Sequence, residues 1–119
     1  GNVDLNTFTN DIFINGWIKV GTLWYYYRDG YLIKNGWVQW KDNWYSFNTD
    51  GVMISSGWFQ WKDKWYWMLE DGKMAVNYWV HWNEKQYYVD SNGVMLTNTI
   101  TPDGYRVGED GAWDGKEKQ

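Results

Sequence analysis

The dipeptide Gly-Trp returns at Gly16-Trp17, Gly36-Trp37 and Gly57-Trp58, and Tyr78-Trp79 fills the same slot once more, at intervals of 20, 21 and 21 residues. A fixed period of about 20 residues signals an array of small units, none of which can bury its apolar face alone. The fold of such a chain is the stacking of its repeat. Eight residues after each opening position stands a second pair, Trp24-Tyr25, Trp44-Tyr45 and Trp65-Tyr66, with Gln86-Tyr87 in the fourth unit. Polar turns follow at Arg28-Asp29-Gly30, Asn48-Thr49-Asp50-Gly51, Glu70-Asp71-Gly72 and Ser91-Asn92-Gly93, and the last three lead into Met53, Met74 and Met95.

Each unit reads as a β-hairpin. Trp, Tyr, Phe, Val and Ile favour strands, and Lys41-Asp42-Asn43 or Lys62-Asp63-Lys64 is short and polar enough for a tight loop between them. Asp-Gly and Asn-Gly then supply the positive φ that turns the chain into the next unit. Helix is excluded, because glycine falls regularly and no window holds a period of 3.6. The fold class is therefore all-β, a solenoid of stacked β-hairpin repeats. Four repeats cover 15–35, 36–56, 57–77 and 78–97. Residues 1–14 read as an N-terminal cap or partial repeat, 98–113 as a shortened closing repeat, and 114–119 as a solvated tail.

The aromatic load is the second constraint. The 119 residues hold 12 Trp, 10 Tyr and 4 Phe, whereas an ordinary core is filled with Leu, Ile, Val and Ala because a large ring bearing an N–H is hard to bury completely. Many rings must be half exposed. The net charge of -4 argues against nucleic acid, which needs a positive surface, and suits a cationic ligand. No stretch approaches the roughly 18 apolar residues of a membrane span, and the start at Gly1 reads as a mature fragment. Cysteine is absent, which removes disulfides, thiolate metal sites and a Cys nucleophile. The one histidine, His81, has no Ser or Cys nucleophile pattern beside it, and Asp29, Asp50, Asp71, Asp103 and Asp110 each precede a glycine, as turn residues do. The chain reads as non-catalytic, without metal or cofactor.

Gly-Trp, then Trp-Tyr, then Asp-Gly-x-Met at this period resembles the choline-binding, or cell-wall-binding, repeat of Gram-positive surface proteins and lysins, with glucan-binding repeats as relatives. The resemblance covers roughly 15–97. It implies choline held between consecutive hairpins by two Trp of one and an aromatic of the next, often floored by Met. It also implies a module that is secreted or displayed on the surface of a Gram-positive bacterium or its phage, attached to a larger protein outside this chain. Carried over by position, the cage pairs are Trp17 with Trp24, Trp37 with Trp44, and Trp58 with Trp65, and the floors are Met53, Met74 and Met95. Strand alternation puts Tyr26, Ser46, Trp67 and Tyr88 on the face of the second Trp and makes Trp67 and Tyr88 third walls, with Tyr45 as the substitute for Ser46. The fourth unit, with Gln86 for Trp, lacks a wall and is expected to be empty or weak.

Two other readings stay open. Trp40, Trp61 and Trp82, three residues after the first Trp, are candidate platforms for glucan or peptidoglycan sugar. Alternatively the rings are only packing, and the array is structural or protein-binding.

Overall fold

The computed structural model describes residues 13–119, so most of the cap expected over 1–14 lies outside the described residues. The chain forms two compact units, one ending at Ile54 and the other running Ser55–Gln119. Among the described residues every regular element is a strand.

In the first unit β1 (Gly16–Val20) pairs with β2 (Leu23–Arg28), which also pairs with β3 (Tyr31–Leu32), and β4 (Gly36–Trp40) pairs with β5 (Asn43–Phe47). The second unit holds hairpins β6 (Gly57–Trp61) with β7 (Lys64–Met68), β8 (Tyr78–Trp82) with β9 (Lys85–Val89), and a short pair β10 (Thr99–Ile100) with β11 (Arg106–Val107). All pairings are antiparallel. The loops are one residue tighter than expected. Lys41 and Asp42, at φ 47° and 66°, close the second hairpin alone, and Lys62-Asp63 and Asn83-Glu84 do the same. Two successive positive φ values make the turn whose twist matches that of the flanking strands.

Register fixes the faces. Trp17 stands opposite Tyr26 and Lys19 opposite Trp24, so these four share one face of the first hairpin. In the second hairpin Trp37, Gln39, Trp44 and Ser46 share one face and Val38, Trp40, Tyr45 and Phe47 the other. This second face is the one laid on the first hairpin: buried Val38, Tyr45 and Phe47 form a core with Trp17, Tyr26, Ile33 and Met53 packed around it. The second unit repeats the arrangement, with Ala75, Val80, Tyr87 and Val89 buried against Trp58, Trp67, Leu69 and Met95.

The turns are interlocks as well as reversals. Asn48 Oδ1 accepts from the amides of Asp50 and Val52, and Asp90 Oδ1 from those of Asn92 and Val94. These side chains hold the backbone in place of a sheet ladder. Gly93, at φ 81°, leaves room for Met74, whose Sδ would sit 2.6 Å from a Cβ there. Gly111 seats Met95 and Gly51 seats Leu32 in the same manner. The turns at Gly51, Gly93 and Gly111 thus each receive a side chain that follows an earlier turn.

The tail departs from the expectation of a purely solvated segment. It is exposed, yet Asp114 donates its amide to Arg106 O, Gln119 to Gly104 O, and Lys116 O accepts from Trp113 Nε1. The closing pair is only two residues long on each strand and leaves carbonyls that the returning chain takes up.

Gly93→Ala forces a side chain into the left-handed region and displaces Met74. It is expected to destabilise the fold by about 1–2 kcal/mol, read as a lower urea midpoint. An unchanged midpoint would contradict the interlock.

Candidate functional site

Three ring clusters arise where the Trp face of one hairpin meets the opposite face of the next, and the third of them lines a cavity. In the first unit Trp17 lies 5.9 Å from Trp24 at 87° and 5.9 Å from Trp40 at 79°, with Tyr45 at 5.0 Å. The rings stand edge to face, so they form walls rather than a stack. Trp24 and Trp40 remain 37% and 38% exposed while Tyr45 is 5% exposed. The cluster therefore has a packed base and an exposed rim.

The second unit repeats this. Trp58 meets Trp82 of the next hairpin at 6.3 Å and 90°, and Tyr87 at 5.6 Å. Trp65, 39% exposed, shares the face of Trp58 by register. Backbone bonds set the spacing between layers: Met53 donates its amide to Trp24 O and Met95 to Trp65 O, both at 2.8 Å. Between Trp37 and Trp44 the rings are 6.2 Å apart at 86°, the same pair geometry in the second hairpin.

Tyr26 and Trp67 share the face of the second Trp, and Tyr88 that of Gln86, and for that reason they lie against the first Trp of their own hairpin, at 5.2, 5.1 and 5.2 Å. The rings that reach the first Trp from the next hairpin are Trp40 and Trp82, with Tyr45 and Tyr87 beside them, while Trp61 stacks on Phe59 at 19°. Met53 and Met95 border the two cores and Met74 sits against Gly93, so all three pack between layers.

The exposed rings already attract cations. Lys41 Nζ lies 4.5 Å from the Trp40 centroid, Lys19 Nζ 5.5 Å from that of Trp24 and Lys62 Nζ 5.6 Å from that of Trp61. Ring quadrupoles account for this.

The third pocket is the one expected to lack a wall. Trp79, Gln86, Asp103, Tyr105 and Trp113 line a cavity of about 350 Å³. Trp79 and Tyr105 are 5.9 Å apart at 83°, and Tyr105 and Trp113 5.9 Å apart at 89°. Trp113 occupies the Met slot of the closing repeat and donates its amide to Gln86 O at 2.8 Å, as Met53 and Met95 do to their tryptophans. Its ring makes good the Trp lost at 86. Gln86 Nε2 donates to His81 Nδ1 at 2.7 Å, which fixes the histidine as a cross-strand surface partner.

Asp103 also departs from the turn role. Asp71 and Asp110 accept from backbone amides within their turns, but Asp103 accepts from Thr101 Oγ1 at 2.5 Å and from Trp79 Nε1 at 2.8 Å. The Thr101 and Trp79 hydrogen bonds, in that order, hold its carboxyl below the usual value, with Lys118 adding a smaller favourable charge. Burial first, then Asp103 and Asp90, raise the pKa of neighbouring Tyr88. Among the described residues no group of three or more His, Asp or Glu could hold a metal.

Sequence comparisons place residues 81–113 within the choline-binding repeat, and 35–53 and 56–74 within a cell wall binding repeat. The structure is similar to CbpJ from Streptococcus pneumoniae, at 35% identity over 84% of this chain with a TM-score of 0.68. It is similar at 35% identity, over 84% of this chain, to choline binding protein F from the same species in the presence of a peptidoglycan analogue, with a TM-score of 0.66. The chain spans only 34% and 33% of those two proteins. It covers 92% of the choline binding domain of Spr1274 in S. pneumoniae, at 44% identity over 66% of this chain and a TM-score of 0.58. Comparison with curated proteins returns no match.

Since the Asp103 carboxylate accepts from Trp79 Nε1, acidification should move the Trp79 indole proton upfield with a midpoint below 3.8. A midpoint at or above that value, or no movement, would show that the bond does not hold in solution.

Proposed function

We infer, because this chain belongs to the choline-binding repeat family, that it is a cell-wall-binding module holding choline of teichoic acid in aromatic cages between successive hairpins. One observation carries the reading: Trp17 stands edge to face with Trp24 of its own hairpin and with Trp40 of the next, and Trp24 and Trp40 remain exposed. A quaternary ammonium has no N–H to donate, so ring faces are what recognise it, each contributing about 0.5–2 kcal/mol. Three rings give roughly 2–5 kcal/mol, a millimolar site at best. Several weak sites on a polymer that repeats its ligand raise retention through effective concentration, so repetition is part of the mechanism.

The residues assigned to binding are Trp17, Trp24 and Trp40 in one cage and Trp58, Trp65 and Trp82 in the next, with Tyr45 and Tyr87 as bases. Met53, Met74 and Met95 act as spacers that set the cage width. The chain itself is non-catalytic and works as the wall-targeting part of a longer secreted or surface protein of a Gram-positive bacterium or its phage. Its length relative to CbpJ and choline binding protein F supports this. Sugar binding retains Trp61 as its one candidate platform.

Choline added to the folded chain should change Trp fluorescence with a midpoint of about 1–10 mM. Trp40→Ala and Trp82→Ala should each remove one site, whereas Trp61→Ala should leave the titration unchanged. No response at about 50 mM choline, or a loss confined to Trp61→Ala with soluble glucan as ligand, would overturn the choline reading in favour of sugar.

A further inference from the structure

The pocket between the fourth hairpin and the closing repeat is built differently from the other cages. It has three rings, Trp79, Tyr105 and Trp113, but it also has a carboxylate on its lining and an amide where the second tryptophan would stand. We propose that this pocket binds an ammonium ion that bears N–H groups, a primary to tertiary amine, with Asp103 as the residue that sets the preference.

The reasoning starts from what holds Asp103. In the turns at Asn48 and Asp90 the residue three before the glycine accepts the amide four residues on. Thr101 takes that place here, its Oγ1 accepting from Tyr105 N at 3.0 Å. Thr101 thereby relieves Asp103 of turn duty and, by donating its own hydroxyl, aims the carboxylate at Trp79. A carboxylate offers about four lone-pair positions; Thr101, Trp79 and the backbone amide of Asp103 itself take up to three of them, which leaves room for a ligand donor. The Trp79 N–H bond to an anion also shifts electron density into the indole, which strengthens its face toward cations. In the first cage Trp17 Nε1 is buried with no hydrogen-bond partner among the described residues.

Both a quaternary and a protonated amine feel the rings and the Coulomb attraction of Asp103. Only the protonated amine can also donate to the remaining lone pairs, in a charge-assisted bond about twice as strong as a neutral one. A quaternary ion that fills the same space leaves those lone pairs facing methyl groups after displacing their water. A site built to accept a hydrogen bond discriminates against an analogue that lacks it. The all-aromatic cages have the opposite bias, since an N–H pointing at ring edges loses its water without a replacement. Lys118 adds only the smallest favourable charge at Asp103.

The inference shares the stacking geometry with the choline reading but does not require choline in the other cages. The test is a titration of the full chain with ethanolamine, N,N-dimethylethanolamine and choline, followed through the indole N–H resonances in two-dimensional NMR. The Trp79 and Trp113 signals should respond to ethanolamine and dimethylethanolamine at concentrations about fivefold to tenfold lower than to choline. Trp17, Trp24, Trp58 and Trp65 should rank the three in reverse. Asp103→Asn keeps an acceptor for Trp79 and removes the charge, and it should abolish the preference at Trp79 and Trp113 while leaving the ranking at Trp17, Trp24, Trp58 and Trp65 unchanged. The wild-type series stands without the variant if that variant fails to fold. Equal response of Trp79 to all three amines, the same ranking as the other cages, or no shift at all would overturn the proposal. Silence of Trp17 and Trp58 toward choline, with Trp79 still preferring ethanolamine, would overturn the choline reading and leave this one standing.

Discussion

Each hairpin has two chemically different faces, and wherever two hairpins stack within a unit, the Trp face of one is covered by the opposite face of the next. That contact is the interaction on which the structure depends. It buries Val38, Tyr45 and Phe47 in one unit and Val80, Tyr87 and Val89 in the other, and burying such side chains is worth about 1.5–3 kcal/mol each. A lone hairpin has no such partner and is marginal in water. The same contact leaves a gap at the open end of the layer, because rings as large as Trp24 and Trp40 cannot be fully covered there. The cage is thus a consequence of how the core is made, and binding did not require a second construction.

The hairpins and their turns were legible in the sequence because they depend on local chemistry: Asp-Gly after a strand, two polar residues between aromatic runs, and a period that repeats. The pairing Trp17 with Trp24 came from the family resemblance, and the two rings do meet. Which rings the next hairpin brings was not legible, since alternation tells which residues share a face but not which face meets the neighbour. Tyr26, Trp67 and Tyr88 lie against the first Trp of their own hairpin, and Trp40 and Trp82, read as an addition to the plain repeat, are the rings that reach it from the next. The third pocket did leave a signal, because Gly111-Ala112-Trp113 aligns with Gly51-Val52-Met53 and Gly93-Val94-Met95. Asp103 left none, as it precedes a glycine like five other acids and only the Thr101 hydroxyl and the Trp79 indole set it apart.

Divergence between units follows from this division of labour. Slots that make the core hold Val, Tyr and Phe or Val in both units, while others change more freely: the exposed Trp24 and Trp65 give way to Gln86, and Met53 and Met95, between layers, to Trp113. A repeat array can alter one mouth without disturbing its neighbours, because each layer contacts only the next. Weak sites of unlike preference along one chain suit a polymer surface that presents more than one cationic group, and multivalent retention tolerates the weakness of each.

The central claim is that cages are closed by the opposite face of the following hairpin. A crystal structure grown in choline tests it most directly. The account predicts a trimethylammonium group within about 6 Å of the ring centroids of Trp17, Trp24 and Trp40, and another so placed among Trp58, Trp65 and Trp82. Choline seated instead against Tyr26 or Trp67, or lying on Trp61 away from both cages, would contradict it.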